Sequence, residues 1–226
     1  MKTESNTEAG AARPTDRRTR RREQLRDHVY RVAVELIIER GFDNATMDEI
    51  ADRADVARAT VFNHFERKTA FLDEWAVRRR QRALQRVHAN QLGDRGARGA
   101  LESSMIELAR INTTSRAEAV ALMTAAVHTT NVLGHPVLAD DFAIFLARAQ
   151  DEGQLDKSID PKLVGLLLAT GYFAVLTEWI EGARAPFDLR ERLLGMLDVI
   201  LDGAASTCTC RTAAGDRRPN GRATRT

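Results

Sequence analysis

The sequence predicts an all-α protein, and three observations support this expectation. Helix-forming residues such as Ala, Leu, Arg and Glu are abundant, while aromatic residues make up only 5% of the 226 residues. Apolar residues recur at intervals of three and four, whereas the alternation typical of strands is hard to find. Residues 46–68 have the pattern of two short helices joined by a tight turn. We therefore expect an N-terminal three-helix helix-turn-helix domain followed by a larger helical domain.

Hydropathy argues against a membrane protein. The longest apolar run, near residues 163–176, is interrupted by Gly165, Thr170 and Gly171 and falls short of the roughly 18 residues that a span needs. The N-terminus is polar and has no apolar signal-peptide core. The sequence therefore predicts a cytoplasmic protein with no membrane partner.

Positive charge is concentrated at the two ends of the chain. Residues 1–26 hold eight Lys/Arg against four Asp/Glu, and residues 206–226 hold five Arg against one Asp. Both ends are poor in apolar residues, so we expect a disordered arm at 1–16 and a disordered basic tail at 206–226. Between them the chain is acidic, and basic ends on an acidic body suggest segments that meet a polyanion.

A run of arginines precedes the first apolar helix (Arg17, Arg18, Arg20, Arg21, Arg22 and Arg26). It is either the solvated start of that helix or an arm that follows DNA phosphates or a minor groove. The adjacent helix-turn-helix favours DNA contact.

The first helix ends at a glycine. Apolar residues from Val29 to Ile37 recur at helical spacing, and Gly41 follows in a position that tolerates a left-handed backbone. Phe42 is expected to fill the small core formed with the next two helices. Residues 17–72 are thus predicted to form one compact helical domain.

The helix-turn-helix begins with a capping box. Thr46 and Glu49, three residues apart, can satisfy each other's free backbone amides at a helix start. The segment Ala54-Asp55-Val56 interrupts the helical pattern, and a second short helix, 57–65, follows. This arrangement leaves long polar side chains of the second helix pointing outward, as in DNA-binding helix-turn-helix proteins.

About ten residues in register over this region resemble the DNA-binding domain of the TetR family of transcriptional regulators. They are Gly41-Phe42, Thr46, Ile50-Ala51, Ala54, Val56, Phe62, His64-Phe65 and Lys68. The resemblance implies that residues 17–72 bind a double-stranded DNA operator. It also implies that residues 73–205 form a helical ligand-binding and dimerisation domain.

Three positions depart from the family pattern. Asp55 stands where the family usually has a turn glycine, and Asp tolerates the left-handed conformation better than most residues. Ala57 replaces the usual Ser at the start of the second helix. Phe62 replaces a Tyr, which keeps the ring but removes a hydroxyl that usually meets a phosphate.

The recognition helix and its flanks supply the candidate DNA-binding residues. Arg58 can bind a guanine edge or a phosphate, and Asn63 can bind an adenine or remain in solvent. The family histidine corresponds to His64, which otherwise would be satisfied inside the domain. Lys68 lies at the expected start of the next helix, where its charge and free amides would bind a phosphate. The full set is Thr46, Arg58, Ala59, Thr60, Phe62, Asn63, His64 and Lys68.

The remaining chain reads as six helices. Residues 69–90 form a linking helix whose arginines are expected to point outward (Arg78, Arg79, Arg80, Arg82 and Arg86), and the glycine-rich residues 91–99 form a loop and the expected hinge. Five body helices are predicted at 97–113, 115–131, 135–152, 161–181 and 188–203.

The resemblance places a dimer interface and a ligand cavity in this body. The last two helices, within residues 161–203, are the most apolar, and the small residues Gly165, Ala169 and Gly171 fit a four-helix bundle formed by two subunits. Such a homodimer would read a palindromic operator. Candidate residues for an unidentified small-molecule effector are Met105, Met123, His128, Phe145, Phe173 and Trp179, although ordinary core packing is the favoured interpretation of each.

No cofactor, metal or catalytic site is expected. His128 and His135 lack metal-ligand spacing, and Cys208 and Cys210 form a lone C-x-C in the polar tail. Phosphate loops, zinc helix motifs and nucleophile elbows are all missing from the sequence. The predicted function is a ligand-responsive repressor. The alternatives are an activator or a ligand-independent regulator of the same fold, or a helical enzyme or adaptor with a structural helix-turn-helix.

Overall fold

The chain folds into helices throughout the part that the structure describes. This computed structural model describes residues 14–89, 96–129 and 137–214, without the side chains of 14–16, 87–89 and 204–214. It contains nine helices and no strand within those residues, which confirms the all-α prediction. The chain divides into two compact units, Met1–Phe71 and Leu72–Thr226.

The first unit is a three-helix domain with a small apolar core. Its helices are α1 (Pro14–Arg40), α2 (Met47–Arg53) and α3 (Arg58–His64). Gly41 ends α1 as predicted, with φ +82° and its N–H donating to Ile37 O at 2.9 Å. The core is formed by side chains from every helix, including Val29, Ala33, Ile37, Ile50, Val61, Phe65 and Phe71. Phe42, expected in this core, is only half-buried.

The second unit consists of longer helices close to the predicted positions. After α4 (Ala70–Ala89), which begins at the boundary between the units, come five body helices. They are α5 (Gly96–Thr114), α6 (Arg116–Thr129), α7 (Val137–Asp151), α8 (Pro161–Ile180) and α9 (Leu189–Ala214).

Three predicted loop or disordered segments are in part helical. The predicted arm 1–16 overlaps α1, the predicted tail 206–226 overlaps α9, and the predicted loop 91–99 overlaps the start of α5. In each case a helix whose position is set by apolar residues continues into a polar segment, because propagation adds one backbone hydrogen bond per residue. Residues 1–13, 90–95, 130–136 and 215–226 lie outside the description, as do the side chains of Cys208 and Cys210.

Helix α8 packs closely against α7 at Gly165. A Cβ atom on Gly165 would lie 2.5 Å from Ala139 O and 3.0 Å from Ala143 N, so only glycine allows this approach. Ala169 is fully buried, and a Cβ on Gly171 would meet the Met196 sulfur of α9. The three small residues therefore pack within the chain. A four-helix bundle between two subunits would need other residues at its interface.

The length of α8 corrects one expectation from the sequence. Pro161–Ile180 is long and apolar enough to cross a membrane by length and composition, with a mean hydropathy of 1.7. Gly165, Thr170 and Gly171 are uncharged, so the helix remains apolar on average despite them. Core helices of soluble proteins pass the same test, and one face of α8 is buried in the second unit (Val164, Leu168, Tyr172, Leu176 and Trp179).

The α4 arginines do not all point outward. Arg79 is buried at 5% exposure, and its Nη1 donates to Asn112 Oδ1 at 2.7 Å. Arg80 binds both carboxylate oxygens of Asp141 on α7. These two arginines attach α4 to the other helices of the second unit. The expectation was wrong for Arg79 because its partners lie more than thirty residues away in the sequence.

Candidate nucleic-acid interface

Helix α2 starts at the capping box that the sequence predicts. The Thr46 hydroxyl accepts a hydrogen bond from Glu49 N at 3.2 Å and donates to Glu49 Oε2 at 3.0 Å. The Thr46 amide donates to the same carboxylate oxygen at 3.1 Å. These bonds satisfy the first free amides of α2 and fix the point at which the helix begins. They also occupy the polar groups of Thr46, which the sequence placed among the DNA-binding residues.

The turn between α2 and α3 closes around a left-handed aspartate. Asp55 has φ +52°, the one non-glycine residue with positive φ in the described chain. Its N–H donates to Asp52 O at 3.2 Å, and Val56 N–H donates to Ala51 O at 3.1 Å. This is the hydrogen-bond pattern of a Schellman motif, in which glycine usually occupies the left-handed position. The expectation that Asp55 can hold the turn is confirmed.

Helix α3 buries one side and exposes the other. Val61 is fully buried, and the cap residue Phe65 is 1% exposed and stacks on Phe71 with ring centroids 4.3 Å apart. The sequence-predicted residues lie on the remaining surface: Arg58, Ala59 and Asn63 are exposed, and Thr60, Phe62 and His64 are half-buried. The N-cap Ala57 makes no side-chain capping hydrogen bond. The fold thus gathers six of the eight predicted residues on one seven-residue helix.

Arg58 is already paired with a neighbouring acid. Its Nε lies 2.8 Å from Asp48 Oδ1 of α2, and both side chains are more than half exposed. The guanidinium also lies 5.4 Å from the centre of the Phe62 ring. The ion pair and the ring contact orient Arg58 at the surface without burying it. Phe62, which lacks the family hydroxyl, therefore supports the neighbouring arginine.

Arg26, from the predicted arginine run, and His28, which the sequence did not assign, hold α1 to α3 and to the turn before it. Arg26 donates to the His64 carbonyl oxygen at 2.6 Å, and its guanidinium stacks 4.3 Å from the Phe65 ring centre. The His28 ring nitrogen lies 3.1 Å from Ala54 O in the turn. Both contacts join residues at least 26 positions apart, so no local sequence signal marks them.

Lys68 has a different environment from the one expected. Its Nζ donates to Phe42 O at 2.6 Å and to Asp43 O at 3.1 Å, and it lies 4.6 Å from the Phe42 ring centre. The ammonium therefore fixes the loop after α1 to the segment after α3. Because an ammonium has three N–H donors, one remains for another acceptor.

The surroundings of His64 disfavour its charged form. Partial burial lowers the pKa of His64, and the positive charges of Arg22 and Arg26 lower it further. An anion beside the ring would offset both effects, since it favours the charged imidazolium. Arg22 and Arg26 of the run before Val29 thus lie near the C-terminal end of α3, and Arg17, Arg18, Arg20, Arg21 and Arg22 are all exposed on α1.

The predicted effector residues in the second unit do not share one environment. Met105, Met123 and Trp179 are buried at 2% exposure or less, Phe145 is at 9%, Phe173 is half-buried and His128 is exposed. The structure therefore places most of them in the core, and His128 on the surface. A buried polar cluster that the sequence did not predict joins Arg79, Asn112 and Tyr172, in which Asn112 Nδ2 donates to the Tyr172 oxygen at 3.0 Å.

No cluster of three or more His, Cys, Asp or Glu side chains that suits a metal ion occurs among the described residues.

Comparison with known proteins agrees with this architecture. Residues 29–75 match the model of the bacterial regulatory proteins of the tetR family. FadR from Thermus thermophilus, a TetR family transcriptional repressor solved with lauroyl-CoA, is 26% identical. It aligns at a TM-score of 0.65 over 79% of this chain and 94% of its own. No curated protein matches the chain.

Two further solved structures share the fold. FadR from Bacillus subtilis, in complex with stearoyl-CoA, is 17% identical, with a TM-score of 0.63 over 78% of this chain and 97% of its own. SmeT, the repressor of the Stenotrophomonas maltophilia multidrug efflux pump SmeDEF, is 24% identical, with a TM-score of 0.62 over 79% and 89%. The resemblance drawn from residues 41–68 is confirmed.

Proposed function

We propose that this chain, a TetR-type transcriptional regulator by its DNA-binding domain and its fold, represses transcription as a homodimer on a palindromic operator. In this proposal a small molecule bound by the second unit releases the operator. The chain acts in the cytoplasm as a binding protein and not as an enzyme. The observation that carries the proposal is α3, a short helix anchored on one side and polar on the other, next to an exposed basic stretch of α1.

The exposure of the residues on α3 supports different DNA contacts for different residues. Arg58 and Asn63 are exposed and have the donor geometry that reads base edges, and Ala59 is small enough to lie against a thymine methyl. Thr60 and His64 are half-buried and suit phosphates. Phe62 acts through Arg58.

The two flanking residues contribute in other ways. Lys68 offers its third N–H to a phosphate while its other bonds position the flanking loop. Thr46 is assigned to capping, because its hydroxyl and amide are both bonded to Glu49. The exposed arginines of α1 add sequence-independent attraction to phosphates.

The outer face of α8 and α9 supports dimerisation. Leu163, Leu166 and Leu167 of α8 are 42–54% exposed, and Val199 of α9 is 74% exposed. Beside Val199 an open groove of about 580 Å³ includes Gly195 and Met196. Large apolar side chains exposed on two adjacent helices fit an interface with a second copy.

The effector is proposed to be a small molecule with an apolar body. TetR-type repressors of the same fold have been solved with lauroyl-CoA and, for SmeT, with triclosan. In this chain the second unit supplies long buried helices and a polar cluster around Arg79. Effector binding there would favour a conformation of the dimer that binds the operator less tightly.

The experiment begins with selection of a binding site from a random duplex library, followed by fluorescence anisotropy at several salt concentrations. Arg58→Ala is expected to cost about 1–3 kcal/mol at the selected site and to relax its preference at one base pair. Arg148→Ala is the matched control, because Arg148 is equally exposed at 67% and equally paired, but lies on α7. If both substitutions have the same effect, or no site is enriched, the recognition role of α3 is wrong.

A further inference from the structure

A cavity of about 260 Å³ lies in the second unit, where α5, α7, α8 and α9 meet the loop after α7. Apolar side chains form most of its wall (Leu101, Leu146, Leu155, Ile159, Val164 and Leu201). The polar residues that line it include Arg98, Gln154 and Asp202. Because Arg98 and Asp202 are 47% and 68% exposed, the polar part of the wall is on the solvent side. None of the effector candidates predicted from the sequence lines this cavity.

The size of the cavity suits a small molecule. Apolar cavities of about 150 Å³ in protein cores bind molecules of the size of benzene, and drug-sized ligands occupy roughly 300–1,000 Å³. A cavity of about 260 Å³ therefore accommodates a short alkyl chain or a single ring, with its polar end at the solvent side.

The charges on the solvent side of the cavity determine which polar group of a ligand is favoured there. The Arg98 guanidinium contacts Asp198, lies 3.0 Å from Asp202 Oδ1 and 3.3 Å from Glu102 Oε1. Three carboxylates thus surround one guanidinium, which leaves an excess of negative charge beside the cavity. A carboxylate or phosphate ligand would be repelled, while an ammonium group would be attracted.

We propose that this cavity binds a small hydrophobic amine, with its hydrocarbon part against the Leu101–Leu201 wall and its ammonium group beside Asp202. The amine adds a hydrogen-bond donor for the carboxylate oxygens and reduces the excess negative charge. This proposal does not rest on the proposed function, since binding is measured on the protein without DNA.

The test compares hexylamine, hexanol and hexanoate by titration calorimetry on the full chain at constant ionic strength. Hexylamine is expected to bind saturably, roughly three- to fivefold more tightly than hexanol, as a partly exposed ion pair allows. Hexanoate is expected to give no measurable binding. Asp202→Asn should reduce the preference for hexylamine over hexanol, because two carboxylates then remain beside Arg98, whereas Asp140→Asn, an exposed α7 residue outside the lining, should leave that preference unchanged.

Two substitutions fill the cavity from different sides. Leu155→Trp, from the loop, and Ala97→Phe, from α5, should each abolish binding of both hexylamine and hexanol, with folding checked by thermal unfolding. Ile144→Trp is the control, since Ile144 is 64% exposed on α7 and does not line the cavity. The proposal is overturned if no probe binds saturably, if hexanoate binds as tightly as hexylamine, or if a folded filled variant still binds.

Discussion

At the scale of single residues, the exposed surface of α3 is set by one ion pair and one histidine. Arg58 is the side chain best suited to read a base, yet it is paired with Asp48 across the turn. An exposed pair of this kind contributes at most about 1 kcal/mol to stability, so its main effect is to orient the Arg58 side chain. Partial burial and two nearby arginines lower the pKa of His64 and so disfavour its charged form.

Removal of the Asp48 charge should change DNA binding more than stability. Asp48→Asn is expected to leave the free energy of unfolding within about 1 kcal/mol of the original value. Affinity for non-specific DNA should rise at low salt, because one charge that repels phosphates is lost. The ratio of specific to non-specific affinity should fall, because Arg58 then meets phosphates more freely. Asp140→Asn is the control in the second unit, and a lower non-specific affinity for Asp48→Asn would contradict the pairing argument.

DNA binding should strengthen as the pH falls through the titration of His64. In the free protein the pKa of His64 lies below 6.5, and a DNA phosphate would raise it, so binding takes up a proton between the two values. The association constant should therefore rise by up to about tenfold per pH unit in that range, measured by anisotropy from pH 7.5 to 5.5. His64→Gln should remove this component. An unchanged pH dependence in His64→Gln would exclude a phosphate contact.

The lowered pKa of His64 makes the protein less stable as the pH falls, whereas DNA binding is expected to strengthen. Because the unfolded chain binds a proton at His64 more readily than the folded chain, this residue lowers stability as the pH falls below about 6.5. Above that value both states are neutral at His64 and the contribution disappears. Thermal unfolding at pH 7.5 and 5.5 should show a smaller loss for His64→Gln than for the original protein.

At the scale of helices, close packing depends on where the glycines are. Gly165→Ala should destabilise the protein by about 1–3 kcal/mol, because the new methyl group meets the backbone of α7 at Ala139 and Ala143. Gly203→Ala is the matched control, since its Cβ would meet nothing within 4 Å and alanine is favoured over glycine in a helix by roughly 0.5–1 kcal/mol. Denaturant unfolding measures both. If the two substitutions shift stability equally, α7 and α8 do not pack as described.

Local signals explain which helices could be predicted from the sequence. Gly41 and the Thr46–Glu49 box act within four residues, so the end of α1 and the start of α2 were found correctly. Arg26, Lys68 and Arg79 have partners 25 to 38 residues away, and a lone basic residue in a sequence does not show which acceptor it will reach. The start of α1 and the end of α9 extend beyond the predicted bounds, because a helix can continue into polar sequence once an apolar segment has nucleated it.

At the scale of the whole molecule, the two faces of α8 differ in their environment. One face is buried in the second unit by Val164, Leu168 and Tyr172, and the other exposes Leu163, Leu166 and Leu167 to solvent. A helix that only packed against the core of its own chain would carry polar residues on its outer face. The exposed leucines therefore fit the proposed dimer, in which two recognition helices would be paired on a palindromic operator.

Charges placed on this outer face should convert the proposed dimer into monomers. Leu166→Arg combined with Val199→Arg would put two guanidinium groups in each subunit at the interface, where they are repelled by their counterparts and cannot be hydrated. Light scattering should show the mass change from two chains to one, while the circular dichroism spectrum keeps its helical signal. Ile144→Arg is the matched control, because Ile144 is as exposed, at 64%, but lies on α7.

Loss of the dimer should then weaken operator binding far more than non-specific binding. A monomer presents one α3 and contacts one half-site, so the additional affinity from holding two half-sites together disappears, a factor that reaches 10²–10⁴ in linked systems. Anisotropy on the full palindrome and on an isolated half-site measures the difference: the double variant should bind both equally, and Ile144→Arg should keep its preference for the palindrome. A double variant that remains dimeric would place the interface away from α8 and α9. A monomer that still prefers the palindrome would mean that dimerisation occurs on the DNA.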